Sequence, residues 1–229
     1  MKICTDYINH YRVDAEEFDY FNNPNAAERA YENLFRRFIS KLARMQGNIL
    51  DIGSGGGWTT QIPHENIFFV DLSAKNLNAL KSSSCIPVLA DAHRLPFKSE
   101  SLEYIIASEI LEHLNRPEEA AAEIYRALKY GGTAIVSTPY KEKIRYSLCV
   151  HCNQVTPMNA HLHSFDRQAL LNFFPLERKR SYLFGSKVLA ILGVARLFTK
   201  LPLWIWRLID LTLIKITDKA QHIVVVVEK

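Results

Sequence analysis

The stretch Asn48-Ile-Leu-Asp-Ile-Gly-Ser-Gly-Gly-Gly-Trp58 decides the fold class of this 229-residue chain. Its apolar start predicts a short buried β-strand that ends beside Asp51. The glycines that follow accept positive φ and have no Cβ, so they predict a sharp turn that a ligand can approach closely. A helix that begins near Trp58 would point its first N–H groups into this turn. In an open α/β sheet, the turn after such a strand is where ligands bind.

The spacing of the glycines indicates which class of ligand such a turn binds. A dinucleotide fingerprint requires Gly or Ala five residues after its first glycine, and Trp58 stands there when the count starts at Gly53. A phosphate-binding P-loop requires a lysine, and this turn has none. The pattern Asp51-x-Gly53-x-Gly55-x-Gly57 resembles the first motif of class I S-adenosylmethionine (AdoMet)-dependent methyltransferases. A glycine-rich turn of another α/β protein is the alternative.

Two more acidic positions follow the next predicted strands. The apolar run at 67–70 ends at Asp71, and class I methyltransferases place an acidic residue there to bind the ribose hydroxyls. The alternative role of Asp71 is an ordinary helix N-cap. A third strand, predicted at 86–89, runs into Asp91-Ala-His-Arg-Leu-Pro-Phe97. This heptapeptide resembles the adenine-contacting motif of the methyltransferase type-11 group.

The resemblance implies a complete set of cofactor contacts. At the position of Asp91 the family's carboxylate meets the adenine amino group, and the N–H of the next residue, Ala92, meets a ring nitrogen. The turn Ser108-Glu-Ile-Leu-Glu-His-Leu114, after a fourth predicted strand, also resembles the family. The cofactor-binding residues implied are Asp51, Gly53, Gly55, Gly57, Asp71, Leu72, Asp91, Ala92 and Ser108.

These motifs stand in the family's order between about Ile49 and Pro139. The resemblance implies an α/β fold with a Rossmann-like, seven-stranded, mostly parallel sheet, helices on both faces and an antiparallel last strand. The valine run near the C-terminus predicts that last strand, buried on both faces. We expect residues 1–46 to form an N-terminal helical cap and residues 47–229 to form the methyltransferase domain.

The predicted reaction is transfer of the AdoMet methyl group to a small-molecule or lipid-linked acceptor by direct in-line displacement. Many methyltransferases of amide or exocyclic nitrogens carry an Asn/Asp-Pro-Pro-Tyr/Phe tetrad after strand four, and residues 107–110 lack it. We therefore expect no nucleic-acid partner. Two alternatives remain: a non-catalytic AdoMet-binding module at a membrane, and a nucleotide-dependent oxidoreductase.

Catalytic groups are less constrained by the motifs than the cofactor contacts are. The protein mainly holds donor and nucleophile in line, and a base is needed only when the nucleophile carries a proton. Glu112 and His113 are the catalytic candidates, since histidine titrates in the range suited to a base. The alternative for His113 is a helix cap or a bond to the backbone.

Composition places the chain among globular proteins. The chain is 48% hydrophobic and 23% charged, and its formal net charge of +4 is too small to imply nucleic-acid binding. The first residues lack the apolar core of a signal peptide. Four cysteines without such a signal predict a reducing compartment, and hence a cytoplasmic protein. The oligomeric state is open.

A cysteine–histidine insert at about 145–165 predicts a zinc site. Cys149 and Cys152 form a C-x-x-C pair, and His161 and His163 follow in one short loop. Two thiolates and two imidazoles suit tetrahedral zinc, although the spacing differs from common zinc fingers. The alternatives are reduced thiols under a loop and a histidine pair that binds substrate.

An apolar, basic arm at about 186–217 precedes the last strand. Its charged residues are Lys187, Arg196, Lys200, Arg207, Lys215 and the single acid Asp210, a net charge of +4. Charges interrupt every apolar run before the roughly 20 residues that a transmembrane helix needs, and Pro202 divides the arm into two predicted helices. With Arg196, Lys200 and Arg207 near one face, the pattern predicts peripheral binding to an anionic membrane. A helical hairpin packed on the domain or on a second subunit is the alternative.

Overall fold

One mostly parallel sheet organises the chain. The structure, a computed structural model, describes residues 26–42, 47–62, 66–80, 85–148, 155–175 and 178–229. The strands are β1 (Asn48–Ile52), β2 (Asn66–Asp71), β3 (Cys85–Leu89), β4 (Leu102–Ser108), β5 (Leu128–Pro139), β6 (Tyr146–Leu148), β7 (Val155–Pro157), β8 (Lys179–Ser186) and β9 (Ala220–Glu228). The α-helices are α1 (Ala26–Leu42), α2 (Ala74–Leu80), α3 (Pro117–Ala127), α4 (Arg167–Asn172), α5 (Lys187–Ile191), α6 (Ala195–Phe198) and α7 (Leu203–Thr217). Three 3₁₀ helices span Trp58–Gln61, Leu111–His113 and Met158–Ala160.

The sheet has seven strands in the order β3-β2-β1-β4-β5-β9-β8. The first five strands of that order pair in parallel, whereas β9 is antiparallel to both of its neighbours. β6 and β7 form a separate hairpin. The predicted fold class is confirmed. Because β1 to β4 run in one direction, the loops that follow them meet at one edge of the sheet.

Two hydrophobic layers cover the two faces of this sheet. In β9, Val225 and Val227 pack in the layer that contains α3 and α4, while Val224 and Val226 pack in the layer that contains α1, α2 and α7. All four valines are at most 1% exposed. The β-branched run is therefore buried on both faces, as the sequence predicts.

The helix predicted to begin near Trp58 begins there but is short. After the glycine turn the chain forms only the four-residue 3₁₀ helix Trp58–Gln61, and Pro63 lacks the N–H that a longer helix would need. Helix α3 ends at Ala127. Its next residue, Leu128, is extended and pairs with Leu102 of β4, so β5 begins there.

The arm at 186–217 forms three helices rather than two. Gly193, with φ +63°, lies in the break between α5 and α6, and Pro202 immediately precedes α7. Leu203, Trp206 and Ile214 of α7 are buried. One face of the arm therefore belongs to the hydrophobic core.

Asp210 attaches α7 to the end of β8. Its fully buried carboxylate accepts the N–H groups of Gly185 at 3.1 Å and Ser186 at 2.6 Å, and an Nη–H of Arg207 at 2.9 Å. Burial raises the pKa of Asp210, and these hydrogen bonds and the Arg207 charge oppose the rise. A buried carboxylate is tolerated here because backbone donors and a guanidinium satisfy it.

The position of Arg207 corrects one prediction about the arm. Its guanidinium lies 4.4 Å from the centre of the Phe38 ring and its side chain is only 14% exposed. Arg196 and Lys200, in contrast, are exposed. Arg207 is thus a core residue and does not share an exposed basic face with the other two.

Helix α1 is held against this arm. Arg37 donates to the carbonyl oxygens of Thr199 at 3.0 Å and Leu201 at 3.3 Å. Tyr31 of the same helix lies so close to Gly185 of β8 that a Cβ at Gly185 would stand 1.9 Å from its hydroxyl oxygen. The helix therefore requires a residue without a side chain at the end of β8.

Substitution of Gly185 tests this contact. Gly185 and Gly193 both have positive φ, but only Gly185 has a neighbour within 4 Å of the added Cβ. Gly193→Ala should cost only backbone strain, about 1–2 kcal/mol. Gly185→Ala should cost about 1–3 kcal/mol more, because Tyr31 must move. Urea unfolding of both variants measures the difference, and equal losses of stability would contradict the contact.

Candidate functional site

The glycine turn is the first wall of the candidate site. Gly53 donates its N–H to the carbonyl of Val70 at 2.8 Å, so the turn is fastened to β2. A Cβ at Gly55, φ +45°, would meet nothing closer than the Gly53 carbonyl oxygen at 4.0 Å. Gly57, in contrast, packs against Leu80 of α2. Gly55 therefore leaves space for a ligand, whereas Gly57 permits close packing of the turn on a helix.

Asp51 of β1 bonds to the 3₁₀ helix that follows the glycine turn. Its side chain is 2% exposed and accepts the hydroxyl of Thr59 at 2.6 Å. Burial raises the pKa of Asp51 to about 7; the Thr59 hydrogen bond opposes that rise and the charge of Asp71 adds to it. Its carboxylate thus faces Thr59 of the 3₁₀ helix, where it connects β1 to the far end of the glycine turn.

Asp71 joins two loops at the end of β2. One carboxylate oxygen accepts the N–H of Gly55 at 3.2 Å and the other accepts the N–H of Ser73 at 2.8 Å. The cap of α2 is Ser73, whose hydroxyl oxygen accepts the N–H of Asn76. Asp71 is therefore not the simple N-cap that the alternative proposed. Burial raises the pKa of Asp71, and hydrogen bonds from the backbone of Ser73, Gly55 and Leu72 and from the Asn76 side chain oppose the rise.

The Asp91 motif forms a closed turn. One oxygen of Asp91 contacts the backbone N–H of His93 at 2.9 Å and its ring Nδ1 at 2.6 Å. Ala92 is buried in the core, and Leu72 is half-buried after β2. The adenine-contacting roles of Asp91 and Ala92 remain predictions.

A cavity of about 930 Å³ opens beside the glycine turn. Of the predicted cofactor residues, Gly53, Gly55 and Ser108 line it. Its other walls come from α1, from the arm around Leu189 and Gly193, and from β9. This volume suits a cofactor and part of a second ligand, since small-molecule sites measure about 300–1,000 Å³.

Glu109 and His222 form a pair at the cavity wall that the sequence analysis missed. Glu109 has φ +56°, donates its N–H to the Ser137 carbonyl, and places a carboxylate oxygen 3.0 Å from His222 Nδ1. The His222 ring stacks on Phe35 of α1 at 4.6 Å. The available signal was a single histidine in the otherwise β-branched run of β9.

Glu112 and His113, the predicted catalytic residues, lie beyond this wall. Glu112 is 1% exposed, and burial, followed by the charge of Glu109, raises its pKa well above the usual value. His113 packs edge-on against His161, with ring centres 4.7 Å apart. Glu109, rather than Glu112 or His113, is among the cavity-lining residues.

The histidines of the predicted zinc site separate in the structure. His161 Nδ1 contacts Glu142 Oε2, whereas the His163 ring stacks on Phe165 at 5.9 Å. Within the described ranges, the side chains grouped closely enough to hold a metal are Glu112, His113 and His161, and His163 is not among them. Cys149 and Cys152 lie outside the described residues.

Comparison with known proteins identifies the protein class of residues 50–136. Residues 50–136 match a family described as a methyltransferase domain. With the seven-stranded fold, this match places that segment in the type-11 group of class I AdoMet-dependent methyltransferases, as its motifs predict.

Two curated relatives are similar over part of their length. MJ1123, an uncharacterized protein of Methanocaldococcus jannaschii, is 28% identical over 56% of this chain and 60% of its own. The chloroplastic 2-methyl-6-phytyl-1,4-hydroquinone methyltransferase of Spinacia oleracea is 28% identical over 40% of this chain and 29% of its own. The match thus spans less than two thirds of each relative.

Solved structures share the fold over nearly the whole chain. A SAM-dependent methyltransferase from Archaeoglobus fulgidus superposes with a TM-score of 0.59 at 19% identity, over 96% of this chain and 100% of its own. The 4+2 cyclase SpnF gives a TM-score of 0.63 at 15% identity, over 95% and 93% of the two chains. At these identities the likeness establishes the fold alone.

The buried Asp51 predicts a pH dependence of stability. Because its folded pKa of about 7 lies above the unfolded value, its contribution is present below about pH 4 and is lost as pH rises through 7. Asp51→Asn can still accept the Thr59 bond but does not titrate. From pH 5 to pH 8 the stability of the wild type should therefore fall relative to Asp51→Asn, by on the order of 2 kcal/mol.

Urea unfolding of the ligand-free protein at both pH values measures this change. Asp166→Asn is the control, because Asp166 is an exposed cap of α4 that accepts the Ala169 N–H. Parallel curves for the wild type and Asp51→Asn would contradict the buried, protonated carboxyl.

Proposed function

We propose that this protein transfers the methyl group of AdoMet to a small-molecule acceptor by direct in-line displacement. The observation that carries the proposal is the carboxyl end of the parallel strands, where the glycine turn and Ser108 line a cavity of about 930 Å³ and Asp71 bonds to Gly55. The family match over residues 50–136 supports the same chemistry.

The residues present fit AdoMet. Gly55 leaves room for the cofactor beside the turn, and the Asp71 carboxylate next to Gly55 would accept the ribose hydroxyls. Asp91 and Ala92 would contact the adenine. AdoMet supplies a methyl group that its sulfonium already activates, so the protein's contribution is alignment, an effect that can be worth about 7–11 kcal/mol.

A proton acceptor, where the acceptor needs one, is best supplied by the Glu109–His222 pair. Both residues line the cavity, and the carboxylate orients the imidazole through Nδ1. Glu112 and His113 fit this role less well, because Glu112 is fully enclosed behind the cavity wall. His222 would then act as base, with Glu109 as its positioning residue.

The arm favours a lipid-linked or otherwise amphipathic acceptor. Leu189, Ala190 and Gly193 line the cavity, and Ile191 and Leu192 between them are 85% and 64% exposed. Further exposed apolar residues of the arm are Leu197, Leu201, Trp204, Leu208, Leu211 and Ile216. An apolar tail could thus pass from a bilayer into the cavity along one continuous surface.

The charges of the arm suit an anionic membrane. Arg196, Lys200 and Lys215 are exposed, while the arm's single acid, Asp210, is fully buried. Among the described residues no helix is long and apolar enough to cross a bilayer. We propose that the protein binds peripherally at the cytoplasmic face of a membrane. The 2-methyl-6-phytyl-1,4-hydroquinone named for the spinach relative is amphipathic, like the acceptor proposed for this protein.

The rival hypotheses differ in what they retain. A non-catalytic AdoMet-binding module would keep the cofactor site and the arm. The cyclase SpnF, which shares the fold, is named for a reaction other than methyl transfer. An oxidoreductase would need a different turn, because Trp58 blocks the dinucleotide fingerprint. Release of demethylated cofactor in the presence of a lipid extract distinguishes methyl transfer from both. The predicted zinc site of Cys149, Cys152, His161 and His163 remains a separate hypothesis.

Cofactor binding is tested at Asp71. Isothermal calorimetry should detect AdoMet binding to the wild type, and Asp71→Ala should weaken it by about 1.5–3 kcal/mol, roughly tenfold to 150-fold, because bonds to a charged acceptor are lost. Asp166→Ala removes a similar carboxylate that accepts a backbone N–H at α4 and should leave the affinity unchanged. Binding of NAD without AdoMet would refute the proposal.

Membrane binding is tested by co-sedimentation with anionic vesicles. Each exposed cation contributes about 1 kcal/mol, so Arg196→Glu with Lys200→Glu should weaken binding at least tenfold, and salt should weaken wild-type binding. Lys98→Glu with Arg167→Glu makes the same charge change outside the arm and should have less effect. Wild-type protein that stays in the supernatant at low salt would make the exposed arm a protein interface instead.

A further inference from the structure

A cluster of metal-ligand side chains lies behind the Glu109–His222 wall of the cavity. Glu112 and His113 come from the 3₁₀ helix after β4, and His161 comes from the loop after β7. One ligand atom of each residue lies within 4.8 Å of the other two. The Glu112 carbonyl accepts the N–H groups of Leu162 at 2.7 Å and His163 at 3.1 Å, so backbone bonds hold the two segments together.

The two imidazoles are oriented through their Nδ1 atoms. His161 Nδ1 contacts Glu142 Oε2, and His113 Nδ1 lies 3.4 Å from the Ala160 carbonyl oxygen. Each Nδ1 can donate its proton to that oxygen, which leaves the lone pair on Nε2. His113 Nε2 lies 4.0 Å from Glu112 Oε1. Metal-binding histidines are held in this way, with the second nitrogen bonded to a carboxylate or carbonyl.

Glu112 supplies the independent observation. Both of its carboxylate oxygens are buried, and within the described residues neither has a hydrogen-bond partner. Buried polar groups are nearly always satisfied, and an ion is one of the few explanations for an exception.

We propose that Glu112, His113 and His161 bind one divalent transition-metal ion, with zinc as the best match. Two imidazoles and one carboxylate suit zinc and its neighbours, whereas calcium and magnesium prefer oxygen ligands alone. Bonds of about 2.1 Å place tetrahedral ligands roughly 3.4 Å apart, so the 4.0 Å separation of His113 Nε2 and Glu112 Oε1 needs only a small side-chain rotation.

Three protein ligands leave one coordination position open. Asn159, next to the Ala160 carbonyl that orients His113, lines the cavity, as does Glu109. The fourth position would hold water. The metal site does not depend on methyl transfer, since it follows from these side chains alone.

Metal titration of chelator-treated full-length protein tests the site. Zinc should bind at one ion per chain and raise the melting temperature of the wild type. Glu112→Gln keeps the side chain's shape but cannot supply a carboxylate ligand, so the metal-free variant should remain folded, bind zinc at least tenfold more weakly and lose the thermal shift. Glu142→Gln should weaken binding about tenfold to a hundredfold, because it loosens His161.

Control substitutions separate this site from the cysteine site predicted by the sequence. His163→Ala, and Cys149→Ser with Cys152→Ser, should leave zinc affinity unchanged. Cobalt(II) adds a spectroscopic reading, because cysteine ligands produce a thiolate charge-transfer band that this site should lack. Loss of zinc in the cysteine variant, retention of zinc by Glu112→Gln, or no zinc binding by the wild type would each overturn the proposal.

Discussion

Parallel pairing of β1 with β2 and β4 is the constraint on which the site depends. Ile52 is in register with Val70 on one side and with Ala107 on the other. The next residues of the three strands are Gly53, Asp71 and Ser108. Because side chains and turns at one level of a parallel sheet emerge at the same edge, three segments far apart in sequence converge without any long connection. The bonds from Gly53 to Val70 and from Gly55 to Asp71 then fix the turn against its neighbour.

The sheet supplies only one side of the cavity, and the arm and α1 supply the other. Their docking rests on the buried Asp210, which would be costly to enclose without the N–H groups of Gly185 and Ser186 and the charge of Arg207. Arg207 in turn covers the Phe38 ring of α1. The buried Asp210–Arg207 ion pair thus connects α7, the end of β8 and α1. The same helices keep an apolar face exposed, so a single arm serves both core and surface.

The sequence predicted what local patterns determine and missed what long-range packing determines. The mostly parallel seven-stranded sheet and the placement of Asp71 and Asp91 after β2 and β3 were expected from the resemblance of the motifs to one family. The orientation of the Asp51 carboxylate toward Thr59 did not follow, since a motif letter carries no side-chain direction. Arg207 looked like a surface cation because helical periodicity cannot reveal an aromatic ring on another element. Glu109 and His222 are 113 residues apart, so their pairing depended on the placement of β9 beside β5.

Carboxylates at the cavity and cations on the arm are separated in the structure. Asp71 bonds to the glycine turn, and Glu109 lines the cavity. The exposed cations of the arm lie outside the cavity. If AdoMet occupies the site, its sulfonium is attracted to these carboxylates, and methyl transfer removes that positive charge. The demethylated product then loses the attraction that held the donor. The proposed contact of the basic arm with an anionic surface would not compete for the cofactor's acidic partners.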